Sequence, residues 1–497
     1  MELYTRKRLA VVSLMVLAGL AAHGAELWVD NVGGSDTNSG SQVAPFRTVG
    51  RAVLDLKPGV SLNLKPTSES YPAGIRITVS GTPESPIIID GHGIVVSGMR
   101  RLPGDHWKSE GGDVFSRPLP NNAWGMATHW EGGFELVRFA GQPGRNVTSL
   151  KALEPLSCFL YKNQKELKTD PRHNTLYIRL PAGKTPDDMI VESIAASGGI
   201  YVGGSYVTVR NLVCEYAGDD GFATHRNRGV TFENVESRYN MDQGMSHHGA
   251  EVVVRNAHFH HNAGCGVVDV YPEAKVRYEH CLIESDTWRG GVEFHSGVFE
   301  MVDCLIRGNP KRTLTATKGA RVKLRNCLLV APEAGTPTGV SVDGAGSSLD
   351  MENCTIYGFS IGVNAQVSAT TRVKLTRCAW VRCKLNSRIS SAPVIGEKPV
   401  EWGARLSLDG NFYEPAPWEV IIPQLAAGGG WKTERHVFAA GEHARFAEWI
   451  GCDTNATMAS IDGEANPLML PPFRTTSGSF AGAKVTWPCG NVEGSRK

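Results

Sequence analysis

Residues 322–330 read VKLRNCLLV, and residues 349–357 read LDMENCTIY. In each stretch apolar and polar residues alternate, and the alternation shifts by one position at the asparagine. This pattern is typical of two short β-strands that are joined by a tight bend. Eight residues hold the equivalent bend position, namely Asn211, Asn234, Asn256, His280, Asp303, Asn326, Asn353 and Arg377. Successive bends are about 23 residues apart, so this part of the chain is a repeat.

A repeat of this length, with short strands and no helical period, cannot bury its apolar face alone. Stacking one repeat on the next does bury it, and we therefore predict an all-β fold, a parallel β-helix. Five bends are followed directly by a cysteine, at Cys281, Cys304, Cys327, Cys354 and Cys378. We expect these residues to form an inward column of buried, unreactive thiols.

The first residues and the net charge indicate where the protein works. Residues 1–25 combine a basic start, an apolar run from Leu9 to Ala22 and small residues, which predicts a secretory signal peptide. We therefore expect a secreted or periplasmic protein with no membrane association after cleavage. The net charge of +1 disfavours nucleic acid as a partner. Closed ends on the solenoid favour a monomer.

The residues after this segment resemble a known group of proteins. Residues 26–53 read ELWVDNVGGSDTNSGSQVAPFRTVGRAV, and residues 87–93, at the end of the turn-rich stretch that follows, read IIIDGHG. Together they resemble the N-terminal segment of the pectate-lyase-like superfamily of right-handed β-helix proteins. The resemblance implies a right-handed parallel β-helix with a capped first coil. The superfamily includes polysaccharide lyases, glycoside hydrolases, esterases, epimerases and phage tailspikes, so the fold does not choose the reaction.

The repeats and the resemblance together predict five segments of the chain. They are a signal peptide (1–25), an N-terminal cap with the first coils (26–98), a small β-rich insertion (99–196), the β-helix core with coils of about 23 residues (197–395) and a C-terminal cap with helical pieces (396–497). Similar insertions wall the substrate groove of β-helix glycoside hydrolases. We therefore expect the insertion either to line a groove or to act only as a cap.

The third strand of four successive repeats carries the side chains that could perform chemistry. With positions counted from the bend and side chains that alternate along a strand, one outward face is predicted to hold Arg226, His247, Asp269, Tyr271, Glu293 and His295. The loops that enter these strands add Asp219, Asp220 and Asp242. Later repeats carry no comparable group at these positions, so the candidate catalytic residues concentrate in 219–295.

Asp269 and Glu293 are the first candidates for a catalytic pair. On neighbouring coils their carboxylates would be about 5 Å apart. That value is close to the separation of the nucleophile and the acid/base in a retaining glycosidase, about 5–5.5 Å. The pattern therefore predicts hydrolysis of a polysaccharide, with no required cofactor.

The alternative use of the same acids is Ca²⁺ binding. Asp242, Asp269 and Glu293 would then hold a Ca²⁺ ion that neutralises the carboxylate of a uronate polymer. In such a lyase the proton at C5 of the uronate would be removed by His247, Tyr271 or His295. The predicted substrate-binding residues are Arg226, Arg289, Trp288, His225 and His248.

Two histidine groups are interpreted differently. His225 and His248 fall between the outward positions, so we predict that they form an inward, stacked pair that joins the site only if the strand is shifted by one residue. The run HFHH at 258–261 lies just past a bend. We interpret it as a strand in which Phe259 points inward, and we assign no metal to it.

One motif has a partial counterpart in a known hydrolase family. AGDDG at 217–221 is similar to the double aspartate of polygalacturonase-like hydrolases, but the Gly-His-Gly and Arg-Ile-Lys motifs of that family have no match, so its mechanism is not transferred. No lysine falls among the patch positions, which favours hydrolysis over elimination. We predict a polysaccharide-cleaving hydrolase, with a Ca²⁺-assisted lyase and a non-catalytic glycan-binding or adhesion protein as alternatives.

Overall fold

The computed structural model describes residues 25–119, 136–161, 170, 172, 174–284, 290–308, 312–332, 337–368, 370–391, 405–425 and 431–458. Over these residues the chain is nearly all β and forms a right-handed parallel β-helix, which confirms the predicted fold class. None of the helices in the described ranges is both long and apolar enough to cross a membrane.

One wall of the solenoid is a 12-stranded sheet, which we call the groove sheet because a groove lies on its outer face. Its strands pair in parallel from coil to coil, except for the last two, which form an antiparallel hairpin. They are Ile75–Ile77, Ile200–Val202, Phe222–His225, Met245–His248, Val267–Val270, Val292–His295, Arg312–Thr317, Thr338–Val342, Ile361–Val367, Ser387–Ser391, Trp418–Leu425 and Trp431–Phe438.

The other walls form a 21-stranded sheet that contains the predicted bends, and we call it the bend sheet. Its strands are Glu26–Val29, Ser61–Leu64, Tyr71–Pro72, Ile87–Ser97, Val207–Glu215, Val230–Arg238, Glu251–Arg255, His258–His260, Lys275–Glu279, Leu282–Glu284, Val298–Val302, Leu305–Arg307, Arg321–Arg325, Leu328–Val330, Ser348–Glu352, Thr355–Tyr357, Arg372–Thr376, Ala379–Val381, Leu406–Asp409, Phe412–Tyr413 and Thr457–Met458. Parallel pairing therefore continues past residue 395, into the range assigned to the C-terminal cap.

The bend residues turn the chain and also tie neighbouring coils together. All eight have a positive φ between 51° and 56°, a conformation that asparagine tolerates better than most residues. The Asn234 side-chain amide donates to Asn211 Oδ1 over 3.0 Å, and that of Asn256 donates to Asn234 Oδ1 over 3.2 Å. The predicted tight bends are therefore confirmed, and their side chains form a ladder along the solenoid.

The core runs through the solenoid as one continuous apolar cluster. The five cysteines that follow the bends are free and fully buried within it, as predicted. Aromatic residues fill the space between the walls, for example Phe294 and Phe299, whose rings stack at 4.4 Å. Burial of these side chains is the main source of stability for a fold with few local contacts.

A second, smaller core belongs to the segment between the first coils. A four-stranded sheet contains Met99–Arg101, Val137–Phe139, Gln142–Pro143 and Val191–Ile194. A five-stranded sheet contains Lys108–Gly111, Val114–Pro118, Arg145–Asn146, Ser157–Tyr161 and Thr175–Arg179. Short 3₁₀ turns at Gly104–His106 and Leu150–Ala152 complete the described part of this insertion.

Helices lie near both described ends of the solenoid. Near the first coils, the helix Val49–Val53 begins after Thr48, whose hydroxyl accepts a hydrogen bond from the Arg51 amide. Near the last coils, the helix His443–Ile450 packs Phe446 against Trp418, with ring centroids 5.2 Å apart. The segment WEVIIPQL, expected to belong to the C-terminal cap, is the strand Trp418–Leu425.

Candidate functional site

The four strands predicted to carry the site lie side by side in the groove sheet, but on the first three the side chains alternate in the opposite sense to the prediction. On the fourth strand Glu293 and His295 face outward, as predicted. Thr224, His247, Asp269 and Phe294 are in register and fully or almost fully buried. The next positions along each strand are in register too and point outward, namely His225, His248, Val270 and His295.

The reason for this reversal is the size of the residues at the start of each strand. Phe222, Met245, Val267 and Val292 occupy the first inward positions, where large apolar side chains gain more from burial than small ones. The small residues Ala223 and Ser246 lie on the outer face. Their small size leaves room for a groove above the sheet.

The predicted carboxylate pair of Asp269 and Glu293 is therefore wrong. Asp269 pairs with Phe294 and faces the core, with no exposed surface. Glu293 pairs with Val268 and Thr315 and faces outward. One extra residue between these coils shifts the register, so a constant offset from the bend placed the two acids at equivalent positions when they are not.

His247 and Asp269 form a buried polar row inside the solenoid. The Tyr278 hydroxyl donates to Asp269 Oδ2 over 2.8 Å, and burial raises the pKa of Asp269 well above its usual value. His247 Nδ1 lies 2.9 Å from Thr224 Oγ1, and burial lowers the pKa of His247 to about 3. Both shifts favour the uncharged form of the side chain. Neither side chain can reach a substrate, which overturns their predicted roles as base, nucleophile and metal ligand.

Three aspartates converge in the loops that lead into the groove strands. Asp219, Asp220 and Asp242 each offer one carboxylate oxygen, and these oxygens all lie within 4.8 Å of one another. The loops are stacked coil on coil, because the Asp242 amide donates to the Asp219 carbonyl and the Gln243 amide donates to Asp220 Oδ1 over 3.2 Å. Asp242 is buried and the other two are half-buried. Acids from two successive coils thus form one cluster.

The other end of the four strands carries an aromatic and imidazole group. The Tyr271 ring stands edge-on to the rings of His225 and His248, at 6.4 and 5.6 Å between centroids. Arg226 lies 5.8 Å above the Tyr271 ring. His248 Nε2 is 3.0 Å from Ser246 Oγ, and burial, together with the nearby His225, lowers the pKa of His248. The prediction that His225 and His248 face inward is wrong, and both belong to the outer face.

Glu293 and His295 lie together on the next strand. Glu293 Oε2 is 3.5 Å from His295 Nε2, and both side chains are about a quarter exposed or less. His295 lines the groove. Trp288 and Arg289, which were predicted to bind substrate, lie outside the described residues.

A groove of ≈ 1290 Å³ joins these groups over the outer face of the sheet. Its described lining includes all three aspartates as well as His225, His248 and His295. It also includes Arg76 and Tyr201, with the Arg76 guanidinium 4.4 Å above the Tyr201 ring. These two residues were missed, because they come from early coils that lie outside the aligned repeats.

The insertion adjoins the acidic end of the groove. Tyr216 and Met241 lie in the loops just before Asp219 and Asp242, and both are buried in the core of the insertion. Arg138 of the insertion donates from Nη2 to the Tyr216 hydroxyl over 2.9 Å. The insertion therefore braces the loops that hold the acids.

Comparisons with known proteins agree with this architecture. A family model described as "Right handed beta helix region" matches residues 187–329. Among solved structures, XylC in complex with xylose has a TM-score of 0.52 and 12% identity, over 87% of this chain and 82% of its own. A search of curated protein sequences finds no significant match.

Two further structures show lower similarity. A glycoside hydrolase has a TM-score of 0.46 and 12% identity, over 80% of this chain and 94% of its own. The pectate lyase Pel9A has a TM-score of 0.37 and 14% identity, over 81% of this chain and 78% of its own. The matching family model and the parallel pairing of the described strands identify this chain as a right-handed parallel β-helix protein, which confirms the resemblance seen in the sequence at the level of the fold.

Proposed function

We propose that this protein is an exported, monomeric glycoside hydrolase that cleaves a polysaccharide bound in the groove. The observation that supports the proposal is the convergence of Asp219, Asp220 and Asp242, whose carboxylate oxygens lie within 4.8 Å of one another at one end of the groove. Glycoside hydrolysis requires two carboxyl groups that flank the scissile bond. The cluster supplies them without a cofactor.

The roles of the aspartates follow from their surroundings. Asp242 is the most buried of the three, and burial disfavours the charged form of a carboxyl group, so we assign it as the general acid. Asp220 accepts a backbone hydrogen bond from Gln243, which favours its charged form, so we assign it as the nucleophile. Asp219 then lies beside both and positions them.

The short separation of these carboxylates favours a retaining reaction. In retaining enzymes the two carboxyl groups are about 5–5.5 Å apart, whereas inverting enzymes leave about 6.5–9.5 Å for a water molecule. Asp242 would give a proton to the glycosidic oxygen while Asp220 attacks the anomeric carbon and forms an ester. Water, deprotonated by Asp242, then attacks the same carbon and releases the sugar and Asp220.

The groove favours a polymer as the substrate. It is open along the stacked strands, and Tyr201 and Tyr271 lie near it with their rings beside Arg76 and Arg226. Such ring and guanidinium surfaces suit the apolar faces and hydroxyl groups of sugars. No lysine occurs among the described residues that line the groove.

A Ca²⁺-assisted lyase is the second candidate, and one observation favours it. Three carboxylate oxygens within 4.8 Å are also a suitable ligand set for Ca²⁺, which prefers oxygen atoms. Bound Ca²⁺ would neutralise the carboxylate of a uronate. His248, held uncharged by its lowered pKa, could then accept the proton that elimination removes.

One experiment separates these functions. The protein is incubated with neutral and uronate-containing polysaccharides, with and without a chelator, while reducing ends and the ultraviolet absorbance of unsaturated uronates are followed. We expect new reducing ends without that absorbance and without a chelator effect. Absorbance that appears with the reducing ends and disappears with chelator would replace the hydrolase by the lyase.

Matched variants identify the site in the same assay. Asp242→Asn should abolish turnover, whereas Asp350→Asn should not, because Asp350 lies on the bend sheet in register with Lys323 and Lys374. If the wild type releases no product from any substrate, and both variants bind a polysaccharide as well as the wild type does, the protein is a glycan-binding module.

A further inference from the structure

We infer that a second site, on the bend sheet and away from the groove, binds a divalent transition-metal ion through Glu236, His258 and His260. One carboxylate oxygen and one ring nitrogen from each histidine lie within 4.8 Å of one another. The inference does not depend on the proposed hydrolase, because none of these residues lines the groove.

The strand geometry explains why the two histidines act together. His258 and His260 are two residues apart on one strand, so their side chains project to the same side. Their rings stack with centroids 4.1 Å apart. Phe259 between them is buried in the core, so both imidazoles are directed away from it. On sequence alone, the HFHH run is interpreted as a strand without a metal. The structure shows that two of its histidines also form a cluster with a carboxylate.

Carboxylates from the two neighbouring coils complete the cluster. His260 Nε2 lies 3.0 Å from Glu236 Oε1 on the preceding coil, and His258 Nε2 lies 2.8 Å from Glu284 Oε2 on the following coil. Two imidazole nitrogens and the Glu236 carboxylate are a donor set that suits Zn²⁺ and similar metals, and Glu284 is an outer partner of His258. A bound ion would replace the proton between His260 and Glu236.

The burial of the cluster also suits a metal. The Glu236 side chain is 4% exposed, and those of His260 and His258 are 12% and 16% exposed. Ligands in such a position lose little further hydration when the ion binds. His260 Nδ1 lies 2.6 Å from His261 Nδ1, a second contact that orients the ring with Nε2 toward Glu236.

The charged groups around the cluster have a net negative charge, which favours a bound cation. Arg238 contacts both Glu215 and Glu236, and Arg307 contacts Glu284. Three carboxylates thus face two guanidinium groups, while the histidines are neutral when they act as ligands. Arg238 Nη1 donates to Glu236 Oε1 over 2.6 Å, and such hydrogen-bonded partners orient the carboxylates that bind metals.

The test uses Zn²⁺ alone as the probe and the full chain as the protein. After removal of metals, calorimetric titration with Zn²⁺ should show one ion bound per chain, and the melting temperature should rise because the ion binds the folded state and links two coils. Ca²⁺ and Mg²⁺ should not compete with Zn²⁺ for this cluster, since both prefer oxygen ligands.

Variants show whether the ion occupies this cluster. His260→Ala and the conservative His258→Gln should each weaken Zn²⁺ binding at least about tenfold. His280→Ala is the matched control, because His280 is on the same sheet and also lies near an acid, 3.5 Å from Asp303. This variant should bind Zn²⁺ as the wild type does. Asp242→Asn should leave Zn²⁺ binding unchanged even if it abolishes turnover.

Three results would overturn the inference. They are the absence of saturable Zn²⁺ binding to the folded wild type, binding that both histidine variants retain, and loss of binding in His280→Ala to the same extent. The first would leave the cluster as an ion-pair network between coils, and the other two would place the ion elsewhere. A failed hydrolase assay has no bearing on any of them.

Discussion

The two sides of the groove sheet contain similar residues with opposite roles. On the inner side, His247 and Asp269 are fully buried among Phe232, Tyr278 and Phe294. On the outer side, His248 and His295 line a groove that also contains three aspartates. A histidine and its direct neighbour in sequence, His247 and His248, thus belong to the core and to the candidate site respectively. Residue type indicates which chemistry a side chain can perform. Its direction, into the core or into the groove, decides whether it can contact a substrate.

Burial decides the favoured protonation state of the inner pair. A buried carboxyl group remains protonated and a buried imidazole remains neutral, because the core solvates charge poorly. The uncharged forms of the inner pair are therefore favoured, and neither side chain can contact a substrate. The outer groups are in contact with solvent and can exchange protons with a substrate.

The largest expected effect is on turnover, and it compares one acid from each side. Asp242→Asn should lower kcat at least about 100-fold, since it removes the general acid. Asp269→Asn should keep kcat near the wild-type value, because Asp269 cannot reach the groove. Steady-state kinetics on the best substrate from the panel, with melting curves for both variants, checks this. Equal loss of activity in two folded variants would refute the assignment of sides.

The second effect is on stability at low pH and concerns His247. Its pKa is lowered to about 3 in the folded state, below about 6.5 in an unfolded chain, so the unfolded state binds the proton first as the pH falls. Between pH 7 and pH 5 this should cost about 2 kcal/mol of the free energy of unfolding. His247→Asn should remove that cost, while its kcat stays unchanged.

Urea denaturation of wild type and His247→Asn at both pH values measures the difference. The stability of the variant relative to the wild type should rise as the pH falls. A difference that is the same at pH 7 and pH 5 would mean that His247 is solvated in the folded protein.

The third effect sharpens the comparison between adjacent histidines. His248→Ala should lower kcat/KM about tenfold, because the ring faces the groove and contacts Ser246. Because its pKa is lowered, the His248 ring stays neutral at a lower pH than an ordinary histidine does. Any step that needs the neutral ring should therefore persist into mildly acidic solution. The pH profile of kcat/KM for wild type and variant provides the measurement, and identical profiles would exclude such a step.

The fourth effect has the opposite sign to that of His247. The pKa of Asp269 is raised, so the unfolded chain loses this proton at lower pH than the folded protein does. Stability from this group is present at acid pH and declines as the pH rises. Asp269→Asn should therefore gain stability relative to wild type between pH 4 and pH 7, as urea denaturation would show. A relative loss over that range would contradict the buried, protonated state.

Much of the fold could be predicted because it repeats. One misplaced residue changes little when eight bends carry the same pattern. The positive φ values and the contacts between asparagines confirm these bends. The candidate site had no such redundancy. Its prediction depended on counting from the bend to the third strand, across loops of varying length, and a shift of one residue exchanged the inner and outer faces.

The sequence by itself determined the solenoid, its bends and the buried cysteines, because alternation and spacing are local properties that every coil repeats. It also contained all three aspartates of the cluster and both histidines of HFHH. Only the tertiary structure decided which side chains meet. Asp219, Asp220 and Asp242 converge because coils stack in register, and Glu236 reaches His260 for the same reason. Such contacts depend on which residues of neighbouring strands pair. The burial of the large apolar residues sets this register for the whole stack.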